Sequence, residues 1–175
     1  MMPSLDTAAS GCAIAIGAIF LAAGLRKLRD LAATAAAIDL YRILPTQGSR
    51  VLALPLALLE ALSGVLLLVP SQRFIGALAI SAILAAYTFA IALNVVRGST
   101  DFDCGCGDAI LLQSGVALLA RNGVMLVLSA GLAFAVGAPA HALDWLTAIS
   151  VALLLLLLWR WTNMLIAALQ EPRDD

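Results

Sequence analysis

FIGALAISAILAAYTFAIALNVV, residues 74 to 96, runs from end to end without a charged side chain. At about 1.5 Å of rise per residue, a helix of that length crosses the ~30 Å hydrocarbon core of a bilayer. Only a helix can do so as an open segment, because lipid offers the backbone no hydrogen-bond partners. Four more runs read the same way. They are Thr7 to Leu25; Val51 to Val69, broken only by Glu60; Ala109 to Ala140, broken only by Arg121; and Trp145 to Gln170, broken only by Arg160. Spans are therefore expected at about 7–28, 49–70, 73–97, 109–138 and 144–169.

Composition agrees. The chain has 175 residues, 63% of them apolar and 12% charged, with a mean hydropathy of +1.04. A soluble domain is about half apolar and a quarter charged. There is too little polar surface here for a soluble enzyme or a disordered chain. Ten Lys and Arg against eleven Asp and Glu leave no basic excess for nucleic acid. The expected fold is an all-α integral membrane protein: one helical-bundle domain over residues 1–175, with four to five transmembrane helices and a short amphipathic helix after the first.

The first run reads as a retained span. No Lys or Arg precedes it, and Arg26, Lys27 and Arg29 follow it, unlike a signal peptide. Residues 30–44, broken by Asp39 and Arg42, suit an amphipathic interfacial helix ending near Pro45. Pro70, Pro139 and Pro172 fall at span ends, and Pro55 is placed in the first turns of the second span, where its missing N–H costs little. Trp145 suits the interface, and the leucine run Leu153 to Leu158 faces lipid.

Of three cysteines, Cys12 lies inside the first span and reads as a small apolar residue. Cys104 and Cys106 share the connector RGSTDFDCGCGD, at the opposite membrane face in a five-span chain. Two thiols separated by Gly105 can close a small disulfide ring, with Gly107 keeping the loop pliable. A tight ring is strained and easily reduced, which suits exchange better than stapling. Metal binding competes poorly: a closed site wants four ligands, and the sole histidine, His141, faces the other side. A chance pair of cysteines is the remaining reading. The acidic neighbours Asp101, Asp103 and Asp108 favour it, because they disfavour thiolate.

Ionisable residues at membrane depth are costly, so each is a functional candidate. If the fourth helix begins a turn late, Glu60 and Arg121 lie at matching depths and would pair, with Asn122 and Asn94 nearby and Lys27 and Arg26 toward the same face. Such a pair either fixes helix register or forms a polar pocket beneath the cysteine loop, holding a quinone head group or passing protons. The candidate site thus comprises Cys104 and Cys106 as exchanging thiols, Gly105 and Gly107 for loop geometry, and Glu60, Arg121, Asn122, Lys27 and Arg26 as a supporting pocket, with no metal. Arg160 reads as a packing or snorkelling residue, and Tyr87 and Tyr41 as bundle or interface residues.

Several of these pieces together resemble the MauE/DoxX family of membrane proteins, in its methylamine-utilisation MauE branch. They are GLRKL at 24 to 28, the Y-x-x-L-P step from Tyr41 to Pro45, Leu59, Glu60 and Gly64 as L-E-x-x-x-G, D-C-G-C-G from Asp103 to Gly107, and Arg121-Asn122. The likeness covers about residues 10–137. One departure is that the family's loop more often reads C-G-C-F-G, and no aromatic follows Cys106 here. The resemblance implies a four- to five-helix bundle in the bacterial inner membrane that assists maturation of the disulfide-rich small subunit of methylamine dehydrogenase. It also implies action beside a periplasmic thioredoxin-like protein.

The expected function is therefore thiol–disulfide exchange by the cysteine pair with a thioredoxin-like partner or a membrane quinone. The alternative is a non-catalytic assembly or escort factor for the same client or partner. Expected partners are the lipid bilayer, the thioredoxin-like protein and the client, with no nucleic acid. No cofactor is fixed by the residues, and a quinone is the candidate carrier. A solute pathway lined by Glu60 and Arg121 is disfavoured, since no repeated broken-helix halves are present. Positive-inside counting puts the cysteine loop in the cytoplasm, whereas disulfide chemistry and the family role put it in the periplasm, where it is placed here.

Overall fold

A computed structural model describes residues 3–43, 45–97, 101–102, 113–135 and 141–170. Among these residues six helices follow in order: α1 (Pro3–Arg29), α2 (Leu31–Leu40), α3 (Thr46–Leu68), α4 (Arg73–Val96), α5 (Gly115–Ala133) and α6 (Ala142–Gln170). A single 3₁₀ turn, Pro70–Gln72, joins α3 to α4. Two two-residue strands, β1 (Asp101–Phe102) and β2 (Gln113–Ser114), stand between α4 and α5.

Paired contacts give the directions. On α1 and α3, Gly24 meets Ala57 and Ala61 while Gly17 meets Gly64 and Leu68, so the two helices are antiparallel. The tight turn at Pro70 reverses the chain into α4. Ser81 of α4 meets Ser129 of α5 at 2.9 Å between hydroxyls, while Ile91 packs with Leu118, so α5 runs back against α4. Gly11 of α1 meets Ala148 and Val151 of α6. Ile19 and Trp159 line one cavity further along, so α6 is parallel to α1. The end of α1, all of α2, the start of α3, the end of α4 and the start of α5 therefore share one end of the bundle, the cysteine end.

Among the described residues, four segments are long and apolar enough to span a membrane: Asp6–Arg29, Thr46–Leu68, Pro70–Val96 and Ala142–Thr162. α5 has 19 residues, about 28 Å at helical rise, and the directions above carry it from the cysteine end to the other. It is shorter than the 109–138 expected, because Gln113 and Ser114 are taken up in the ladder with β1. α3 begins at Thr46, so Pro55 stands inside the helix and not in its first turns. Its missing N–H there leaves the Val51 carbonyl without its helical donor.

Polarity is inverted relative to a soluble fold. The core of Ile16, Phe20, Leu67, Ile80, Leu84 and Met125 shares the interior with Lys27, Glu60, Arg73, Asn94, Asn122 and Ser129. Val51, Phe74, Phe89, Val127 and Leu154 stand exposed. An apolar exterior around polar groups suits lipid as the solvent. α6 is the outermost span, with 11% of its apolar window buried, and Leu153, Leu154, Leu157 and Leu158 face outward.

α2 has ten residues, about 15 Å of rise, too short to cross. Asp30 caps it, its Oδ1 accepting from the Ala33 N–H at 2.8 Å. Its polar groups turn inward, unlike those of an ordinary amphipathic helix. Thr34 Oγ1 donates to the carbonyls of Asp30 (2.9 Å) and Lys27 (3.2 Å), and Asp39 Oδ1 accepts from Ser49 Oγ at 3.3 Å. At the opposite end of the bundle, Arg73 Nη2 donates to Ser10 Oγ at 3.2 Å, fastening α4 to α1.

Candidate functional site

The site begins with a backbone contact. A Cβ on Gly24 would sit 2.8 Å from the Ala57 carbonyl, and one on Gly64 would sit 2.6 Å from the Leu21 N–H. Only glycine allows α1 and α3 to approach this closely. One turn beyond Gly24, Lys27 is thereby brought against Glu60. Lys27 Nζ donates to Glu60 Oε1, and Tyr87 Oη of α4 donates to the same oxygen. Lys27 Nζ also donates to Tyr87 Oη at 2.9 Å and stands 4.9 Å from the centre of its ring. Three helices thus converge on one carboxylate oxygen. Glu60 has no exposed surface, and Lys27 is 9% exposed. Paired charge is the form in which such groups persist at this depth.

Sequence depth pointed to Arg121 as the partner of Glu60, but the cation comes from α1. Depth along a helix does not fix the side it faces, and the glycine contact places Lys27 first. Arg121 lies with its guanidinium 4.9 Å from the centre of the Trp159 ring on α6, a favourable cation–π placement. Its neighbour Asn122, 1% exposed, lines a cavity of about 10 Å³ together with Glu60, Ile19, Met125 and Trp159. Asn94 lies further toward the cysteine end, where Nδ2 donates to the Tyr41 carbonyl at 3.1 Å and to that of Ala90 at 2.9 Å. It anchors the α2–α3 link and stays apart from the charge cluster. Arg26 is exposed.

Tyr87 and Trp159 are members of the site that sequence reading missed. Tyr87 had one usable signal, its hydroxyl at a depth like that of Glu60. Trp159 had none, since α6 could have packed anywhere. Ile19, Met125 and Trp159 also border a lateral cleft of about 500 Å³, in which Cys12, Arg121 and Thr162 take part.

Cys104, Gly105, Cys106 and Gly107 lie outside the described residues. The chain leaves for that segment from β1 and returns through β2. These pair antiparallel, Asp101 opposite Ser114 and Phe102 opposite Gln113. Tyr87 lies about 14 Å below the end of α4 and Asn122 about 10 Å below the start of α5, at helical rise. Among the described residues, no group of three or more His, Cys, Asp or Glu could hold a metal ion.

Residues 5–136 match the family described as methylamine utilisation protein MauE. The chain is similar to a methylamine utilization protein MauE of Paracoccus denitrificans, 39% identical over 127 residues, 73% of this chain and 68% of the relative. It is also similar to one of Paracoccus versutus, 32% identical over 153 residues (86% and 82%), and to one of Methylophilus methylotrophus, 35% identical over 100 residues (57% and 53%). No solved structure matches.

Proposed function

The chain belongs to the MauE family of methylamine utilisation proteins, and from that premise we propose that it is a membrane thiol–disulfide redox protein. It would assist disulfide formation in a periplasmic client, the small subunit of methylamine dehydrogenase. Cys104 and Cys106 exchange through a mixed disulfide: one thiolate attacks a disulfide sulfur, and the second cysteine releases the first. When the pair is oxidised, two client thiols become a disulfide and give up two electrons and two protons, and the Cys104–Cys106 bond becomes two thiols. A thioredoxin-like disulfide or a membrane quinone then takes the same two electrons and two protons. It becomes a dithiol or a quinol respectively.

The sequence supports this role: two thiols separated by a single glycine stand in the chain between β1 and β2, which pair antiparallel. We place the cysteine end of the bundle at the periplasmic face of the inner membrane, as the chemistry requires. Arg26, Arg29, Arg42, Arg50 and Arg97 stand exposed there, a distribution normally found on the cytoplasmic side. An impermeant maleimide applied to intact cells after reduction should label Cys104 and Cys106. Labelling only after lysis places the loop inside and removes the periplasmic role.

The decisive experiment uses single and double Cys104→Ser and Cys106→Ser variants. A single variant should accumulate a mixed disulfide with the partner or client, and the double variant should leave client disulfides unformed. Full maturation with the double variant overturns the exchange role and leaves the escort reading, in which only loss of the whole chain matters.

A further inference from the structure

The short helix α2 packs against the start of α3, and a groove of about 470 Å³ runs between them at the cysteine end. Leu31, Ala32 and Ala36 of α2 form its apolar wall. Asp39 of α2, with Thr46 and Arg50 from the first turns of α3, forms the polar part. Asp39 Oδ1 accepts from Ser49 Oγ at 3.3 Å, which turns the carboxylate toward α3. Among the described residues, Asp39 Oδ2 and the Arg50 guanidinium have no hydrogen-bond or ion-pair partner. An acid and a base thus border one groove without pairing with each other.

The surroundings of the groove are apolar. Leu31, Ala32, Ala36 and Leu40 of α2 are exposed. On α3, Leu54 and Leu58 follow Arg50 on the same helix face at four and eight residues, and both are exposed. They lie about 6 and 12 Å further from the cysteine end. The guanidinium is therefore at the level of lipid head groups, with an apolar track descending from it into the hydrocarbon. A lone anion on Arg50 would stand near the Asp39 carboxylate, and a lone cation on Asp39 would stand near the guanidinium. A group carrying both charges suits both residues. The planar fork of an arginine matches a phosphate, and a carboxylate accepts the N–H bonds that a primary ammonium donates and a quaternary one lacks.

We propose that the α2–α3 groove binds a zwitterionic phospholipid bearing a primary ammonium, with its phosphate on Arg50, its ammonium on Asp39 and an acyl chain along Leu54 and Leu58. Phosphatidylethanolamine has this chemistry. The lipid ties α2 to α3 at the membrane surface. The site stands independently of the thiol chemistry proposed above, because no cysteine takes part in it.

The test is native mass spectrometry of the full chain, stripped of lipid in detergent and given phosphatidylethanolamine, phosphatidylcholine and phosphatidylglycerol with identical acyl chains. The ethanolamine lipid should bind about fivefold more tightly than either of the others, the upper end for an exposed charge pair. Asp39→Asn, which keeps the acceptor for Ser49, should abolish the preference over phosphatidylcholine. Arg50→Gln should weaken ethanolamine-lipid binding about fivefold. Equal binding of the three lipids overturns the proposal, as does a preference for phosphatidylglycerol or a selectivity that both substitutions leave intact. A phosphatidylethanolamine with a diazirine in its acyl chain locates the site in the unsubstituted protein, even where a variant fails to fold. Photolabelling should fall on residues 51–58, and labelling confined to other helices overturns the assignment.

Discussion

Neutralising Glu60 alone should be far more damaging than neutralising it together with Lys27. Glu60→Gln keeps the side chain's shape and removes its charge, leaving the Lys27 ammonium buried without a counter-charge, beside only a neutral amide and the Tyr87 hydroxyl and ring. Removing one member of a buried ion pair costs about 3 to 5 kcal/mol. For a domain of this size each kcal/mol shifts the melting temperature by roughly 2 to 4 °C, so a drop of about 6 to 20 °C is expected. Lys27→Met should fall in the same range, because it strands the carboxylate. The double variant leaves no charge behind and should regain most of the loss, giving a coupling energy of at least about 2 kcal/mol in a double-mutant cycle. The assay is thermal unfolding in nanodiscs, followed by circular dichroism, for all four proteins. A double variant whose loss equals the sum of the two single losses would refute the pairing. Tyr87→Phe, run in the same series, removes the hydrogen bond to Glu60 and the one accepted from Lys27, and should cost at least about 1.5 to 3 kcal/mol.

Other outcomes follow from the packing. Gly24→Ala places a methyl 2.8 Å from the Ala57 carbonyl and should destabilise by about 1 to 3 kcal/mol, whereas Gly131→Ala, with nothing within 4 Å, should stabilise α5 by about 0.5 to 1 kcal/mol; equal effects in a melting assay would show that the close α1–α3 approach is unreal. Trp159→Ala removes packing against the core as well as the ring beside Arg121; the cation–π share, about 0.5 to 2 kcal/mol, should appear as the coupling energy in a double-mutant cycle with Arg121→Leu, and no coupling would refute the contact. Cys12 borders a cleft at membrane depth, so in a Cys104→Ser, Cys106→Ser background a water-soluble maleimide should leave it unmodified while a membrane-permeant one adds mass; modification by both would place the cleft in water.

The spans and the short second helix were legible because hydrocarbon thickness and the cost of charge impose length and composition directly. The polar residues at membrane depth stood out for the same reason: Glu60, Lys27, Arg121 and Asn122 are conspicuous among apolar neighbours. Which of them meet was not legible. Lys27 and Arg121 both lie within reach of Glu60 along the membrane normal, and the choice rests on the side each helix presents. Gly17, Gly24 and Gly64 set that choice by admitting α1 to the surface of α3. The strand pair that shortens α5 left no signal either, since two residues are too few for a period. The fastening of Tyr41 by Asn94 joins residues 53 apart, a separation no local pattern encodes.

The ion pair has a consequence for biogenesis. Lys27 precedes Glu60 by 33 residues in the chain, so it leaves the ribosome first. At roughly 5 to 20 residues per second, about 2 to 7 s pass before its counter-charge follows. During translation the newly inserted α1 holds an uncompensated ammonium, kept near the head groups by its long stem. Arrival of α3 then draws that amine inward, so the α1–α3 contact can close before α4, α5 and α6 have been made.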